Sequence, residues 1–186
     1  LKANNIADSK FSAETYMSFV HSDENWDEIK NNIFNGLKVY SFAVKYEPME
    51  SFKIVLGRKI NPKLSNIGAI DGLQVEKQFE QIIIGTFVGS RPDYTDYSFN
   101  FDLLQFGGYF GHEFKNKKHR DIKTTLAFVE QKNGAATDRR FAYLQHTNSL
   151  IKNLYFFGTV EMELYQKIDS VKQSATNLTN LYLMLR

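Results

Sequence analysis

The chain has 186 residues, with 23 lysines and arginines against 21 aspartates and glutamates, a formal net charge of +2, and no cysteine. That length suits one domain with a sizeable core, and the near-balanced charge excludes the broad basic field that drives nucleic-acid binding. Disulfides, zinc–thiolate sites and thiol nucleophiles are excluded too, and the redox compartment stays open.

Alternating segments recur in chain order, each bounded by polar, Gly-, Asn- or Pro-containing turns. In residues 11–20, Phe11, Ala13, Thr15, Met17 and Phe19 oppose Ser12, Glu14 and Ser18. Residues 21–36 are a charged insert with the single tryptophan, Trp26, expected as a long loop with room for one helical turn. In 37–46, Tyr40, Phe42, Val44 and Tyr46 oppose Val39, Ser41, Ala43 and Lys45; in 52–60, Phe52, Ile54 and Leu56 oppose Lys53, Gly57 and Lys59. The pattern weakens in 67–79, where Asp71 interrupts an apolar face, and in 81–90, which is apolar on both faces. It sharpens in 102–114, where Leu104, Phe106, Gly108, Phe110, His112 and Phe114 oppose Gln105, Gly107, Tyr109, Gly111 and Glu113. In 121–131, Ile122, Thr124, Leu126 and Phe128 oppose Lys123, Thr125, Ala127 and Gln131. In 154–165, Leu154, Phe156, Gly158, Val160, Met162 and Leu164 oppose Tyr155, Phe157, Thr159, Glu161, Glu163 and Tyr165. With 139–146 and 177–186 this makes about ten strands, an antiparallel up-and-down all-β meander in one domain, 1–186. Pro48, Pro62 and Pro92 read as turn residues.

No apolar stretch approaches the roughly 18 residues of a helical membrane span. A membrane β-barrel escapes that test, because its lipid-facing residues alternate with polar ones. Two features favour lipid on the oily face. Several segments have about the ten residues that a tilted strand needs to cross the hydrocarbon, and Tyr40 and Tyr46 bracket Phe42 and Val44 as an interfacial girdle would. Gly107, Gly108 and Gly111 also suit a curved barrel wall better than a flat sheet. The expectation is a transmembrane barrel with Tyr40, Phe42, Val44, Phe106, Phe110, Leu126, Phe128, Phe156, Val160 and Met162 facing lipid. Glu14, Lys45, Lys53, Lys59, Gln105, Tyr109, Glu113, Lys123, Glu161 and Glu163 would line the lumen, their mixed signs either pairing to plug a narrow barrel or lining a weakly selective pore. The rival is a soluble lipocalin-like barrel or β-sandwich, with Phe42, Phe106, Phe110 and Phe156 turned inward around an apolar ligand.

Particular stretches carry a resemblance. IVLGRKINPKLSNIGAIDGLQ (54–74), GTFVGSRPDYTDYSFNFDLLQFGGYFGHE (85–113), TDRRFAYLQHTNSLIKNLYFFGTVEMELY (137–165) and NLTNLYLMLR (177–186) resemble uncharacterised outer-membrane β-barrel proteins of Bacteroidota in strand and turn texture. The resemblance implies a barrel exported to the bacterial outer membrane, in contact with its lipid and open to contact with other outer-membrane proteins, while the charge balance predicts no nucleic-acid partner. It brings no active-site motif, so the expected function is a porin-like channel or a structural subunit rather than an enzyme. Such barrels usually close on a strand ending in an aromatic residue, whereas this chain opens on Leu1 without a secretory signal and stops at Arg186. The expectation is therefore part of a larger barrel, truncated at one or both ends.

Other candidate chemistry is weaker. Glu161 and Glu163 lie about 7 Å apart along a strand, a spacing that paired-carboxylate glycosidases use, but pairing with a base such as Lys123 or Arg140 explains them more simply. Asp23, Glu24, Asp27 and Glu28 supply oxygen ligands without EF-hand spacing. His21, His112, His119 and His146 show no zinc-site spacing, so neither a metal nor a cofactor is expected. His146, Asn148 and Ser149 are turn neighbours rather than a triad. The run 90–98, with Arg91, Asp93, Tyr94, Asp96 and Tyr97, reads as a turn whose aspartates cap backbone amides, and the basic run 115–120 as a solvated turn.

Overall fold

The computed structural model describes residues 1–20, 26–116, 121–168, 171–173 and 176–186. Its strands are β1 (Lys2–Ala3), β2 (Phe11–Phe19), β3 (Leu37–Met49), β4 (Phe52–Ile60), β5 (Ala69–Phe79), β6 (Ile82–Ser90), β7 (Leu103–Lys115), β8 (Asp121–Asn133), β9 (Ala136–Asn148), β10 (Phe156–Glu163), β11 (Gln166–Ile168), β12 (Val171–Gln173) and β13 (Asn177–Leu185). Eleven of them form one antiparallel sheet in sequence order, β1 through β10 followed by β13; β11 and β12 make a separate two-stranded ribbon. The meander read from period-two alternation is thus observed, with the sheet open between β1 and β13. Within the insert, Trp26–Asn31 form a short helix, α1, and Ile33–Asn35 a 3-10 turn, while residues 21–25 and 117–120 lie outside the described residues.

Two features refine the strand assignments. Pro48 lies inside β3 rather than in a turn, where the β3–β4 register shifts between Tyr46 and Met49; a residue without an N–H is tolerated at such an irregularity. In β2 the register shifts between Tyr16 and Met17, which breaks the single alternation expected over residues 11–20.

The loops are asymmetric. At one end of the sheet β3–β4 and β5–β6 turn in two residues each, 50–51 and 80–81, with 149–155 as a longer connection, while the other end carries residues 61–68 and 91–102 beside the short 134–135 turn. One of these long loops folds inward. Residues 61–68, between β4 and β5, bury Leu64 and Ile67 against Ile70, Ile83, Phe87, Tyr109, Ala127, Val129, Phe141 and Tyr143, and this cluster is the core. Asn61 Nδ2 donates to Tyr109 Oη of β7 (3.1 Å), Ser65 Oγ to Gln145 Oε1 of β9 (2.9 Å) and Asn66 Nδ2 to Thr159 Oγ1 of β10 (3.1 Å). Asn66 stands three residues before β5, a reach of about 10 Å, whereas a flat sheet would place β10 about 24 Å from β5. The sheet has therefore curled into a barrel-like wall around its own loop.

Two glycines make the curl possible. Gly57 has φ +113°, in the left-handed region that favours glycine. At Gly85 a Cβ would sit 2.1 Å from Tyr109 Cζ, so the Tyr109 ring occupies the space that any side chain on β6 would need.

Candidate functional site

The sheet has an inner face, covered by the inserted loop, and an outer face left uncovered at mid-height among the described residues. On the outer face Phe42 is 63% exposed, Leu56 61%, Ile84 51%, Phe110 50% and Phe128 58%. Val44, Val88, Leu126, Leu144, Met162, Leu181, Leu183 and Leu185 join them as exposed apolar side chains. Cross-strand partners such as Val44↔Leu56↔Leu73↔Val88↔Phe106 and Leu126↔Leu144↔Val160↔Leu181 make the band continuous. Phe106, Phe156 and Val160 lie in the same rows, half-buried by their neighbours. Tyr40 is half-buried as well, stacked on Tyr16 with centroids 5.1 Å apart and tilted against the Tyr97 ring at 4.6 Å.

Charges on the outer face are confined to its two ends. At the short-turn end Lys77 Nζ lies over the rings of Phe52 and Phe79, 5.8 and 5.9 Å from their centroids, and donates to Ser51 Oγ. At the long-loop end Glu130 accepts from Lys132 and from Arg140 Nη2, both at 2.8 Å. Near the same end Arg58 and Asp71 form an ion pair, with side chains 2% and 4% exposed, on the face that also carries Leu56 and Leu73. Arg58 donates further to the carbonyls of Val39 (2.7 Å) and Tyr97, and its guanidinium packs 4.9 Å from the Phe99 ring. The loop 91–102 is thus strapped over the pair, helped by Lys38 Nζ on Thr95 O at 3.1 Å. Within the loop, Asp93 Oδ1 accepts from the Thr95 amide and Asp96 Oδ1 from the Ser98 amide, the capping expected of this run. The Thr95 hydroxyl and amide hold the Asp93 carboxyl below the usual carboxylate range.

The inner face holds the residues expected to line a lumen, almost all of them in pairs. Glu14 pairs with Lys59 (2.7 Å), Lys45 with Glu47 (2.7 Å), Lys53 with Glu76 (2.9 Å) and Lys123 with Asp121 (3.0 Å). Lys63, from the inserted loop, bridges Glu76 (3.0 Å) and Glu113 (3.6 Å). Tyr109 donates to Glu76 Oε2 (2.7 Å). Gln105 and Tyr109 face inward but are 1% and 5% exposed, so protein atoms rather than water cover them. Glu161 and Glu163 are both held by Arg139, at 2.6 and 2.8 Å. The partner is therefore neither Lys123 nor the Arg140 guanidinium, because Arg140 points outward on β9 while Arg139 shares the inner face with Phe141 and Tyr143. A carboxylate pair locked onto one guanidinium is a structural clamp and leaves no free acid for glycoside cleavage.

Alternation alone pointed to neither Glu76 nor Lys63, the hub of the inner network, nor to Arg58. Asp71 interrupting an apolar face was the one available signal for the outer pair. Asp23, Glu24, His21 and His119 lie outside the described residues, Asp27 pairs with Lys30 at 3.2 Å, and His146 Nδ1 shares a hydrogen bond with Thr124 Oγ1 at 2.8 Å. Comparison with protein-family models, with curated proteins and with solved structures finds no match for this chain.

Proposed function

We propose that the chain is an outer-membrane β-barrel protein of a Gram-negative bacterium whose lumen is filled by its β4–β5 loop, serving as a structural or interaction protein rather than an open channel. The observation that carries this reading is the outer band. From β3 to β13 it presents a contiguous row of Phe, Leu, Ile and Val side chains, many of them between 38% and 69% exposed, and a contiguous exposed apolar surface marks a membrane or partner contact. Tyr40 and Tyr46 stand about 20 Å apart along β3 by strand rise, which fits a hydrocarbon-facing band about 25 Å tall. The two-residue turns 50–51 and 80–81 at one end and the longer 61–68 and 91–102 connections at the other fit the periplasmic and extracellular ends of such barrels. The resemblance to Bacteroidota outer-membrane barrels supports the same location, and in lipid the open sheet edges, β1 with the uncovered part of β2 on one side and β13 on the other, must be paired.

The inserted loop favours the plugged form over the porin-like one. Leu64 and Ile67 are almost fully buried at the centre of the inner face, and the charges around them neutralise one another.

The test has two readouts. The protein should resist alkaline carbonate extraction of membranes and show heat-modifiable gel migration; release into the aqueous fraction would end the membrane reading. In planar bilayers the wild type should stay silent and a variant lacking residues 62–67 should conduct. Steady wild-type conductance would return the function to a pore.

A further inference from the structure

We infer that an apolar cavity under the 91–102 loop holds one acyl chain of a phospholipid from the surrounding membrane. The inference rests on the membrane reading, because the chain must come from hydrocarbon that meets the outer face. The cavity, about 490 Å³, lies on that face at the long-loop end, with Met17, Val39 and Phe42 as its walls and Phe99 and Phe101 of the loop over it. Those walls are aliphatic or aromatic.

The charged groups at its floor are already spent. Arg58 and Asp71 form their buried ion pair, and the guanidinium gives its further hydrogen bonds to the carbonyls of Val39 and Tyr97. Among the described residues Ser90, 6% exposed, is the one other polar side chain lining the space. A water molecule settles in a cavity only where about two to four polar partners meet it. This lining favours hydrocarbon over water, and a charged ligand group placed here would lose its hydration without gaining a partner.

Size and position decide which hydrocarbon. An apolar cavity of about 150 Å³ holds one benzene, and this one has roughly three times that volume, room for about 18 carbons. That is the length of one membrane acyl chain. Phe42, 63% exposed, is both a wall of the cavity and a member of the outer band, so the cavity is continuous with the band. At its other side Tyr40, next to Val39, packs against Tyr97, whose carbonyl accepts from Arg58; tyrosines in such a girdle sit at headgroup level. A chain running from the headgroups into the band therefore passes this cavity. Filling it covers Met17 and Phe101, which are 47% and 83% exposed.

Full-length protein in mild detergent is titrated with palmitoyl-oleoyl phosphatidylglycerol, and bound lipid is counted by native mass spectrometry. The wild type should take up one lipid per chain at saturation. Met17→Trp, which fills the cavity, should weaken uptake at least about tenfold, with heat-modifiable migration confirming that the variant is folded. Phe101→Asn, at an exposed loop position, should weaken it in the same direction and serves as the variant of record if Met17→Trp does not fold. Leu126→Trp, on the band outside the cavity, should leave uptake unchanged. No lipid on the wild type, a second copy or a free fatty acid retained in its place, or equal uptake by wild type and the folded cavity variant overturns the inference. Carbonate extraction separates the two failures: a wild type that stays in the membrane but takes up no lipid overturns this inference alone, whereas release into the aqueous fraction overturns the membrane reading and the inference with it.

Discussion

On β8, Leu126 and Phe128 are 43% and 58% exposed while Thr125 and Ala127, their immediate neighbours, are 4% and 0% exposed. The outer pair is large and apolar; the inner pair is small and partly polar. In a water-soluble sheet the larger apolar residues would be the buried ones. The inversion leaves small side chains on the inner face, which make room for Leu64, Ile67 and the Tyr109 ring, and large apolar ones on the outer face, as the proposed lipid-facing wall requires.

The most forceful way to break that comparison is the place where the outer face holds a buried ion pair. Arg58→Ala strands the Asp71 carboxylate beneath the 91–102 loop, and the folded state in detergent should lose about 3–5 kcal/mol, read from urea unfolding. The paired replacement Arg58→Met with Asp71→Leu should be close to neutral, since it removes both charges from an apolar setting. Leu126→Arg tests the wall directly. In lipid it should cost about 2–4 kcal/mol, whereas in water an exposed leucine changed to arginine would shift stability by no more than about 0.5 kcal/mol. On the inner side, Gly85→Ala places a methyl where the Tyr109 ring lies and should cost about 1–3 kcal/mol through overpacking. Arg140→Ala, at the solvated end of the outer face, should cost under about 1 kcal/mol, because exposed ion pairs contribute little. A large loss there would mean that the end of the band is drier than the loops suggest.

Some of this could be read along the chain and some could not. Alternation over 102–114 and 121–131 assigned faces residue by residue, and Phe110, Leu126 and Phe128 lie on the face it gave them. The inserted loop escaped notice because NPKLSN has the composition of an ordinary turn, and Leu64 and Ile67 are too few to mark a segment that folds inward. Arg139 rather than Arg140 holds the two glutamates because β9 turns them to opposite faces, and that assignment was open to reading from Phe141, Tyr143 and Gln145. The Arg58–Asp71 pair was half visible: Asp71 broke an apolar row, but its partner depends on the register between β4 and β5.

Period, strand length and turn composition are local quantities, carried by residues one or two positions apart. They were enough to specify an all-β meander with one oily side, because side-chain direction in a strand follows backbone geometry alone. Which side is enclosed depends on curvature, and curvature arises only when strands far apart in the chain pair, twist and close on a common filler. The curl that brings Asn66 to Thr159 is therefore a property of the assembled sheet.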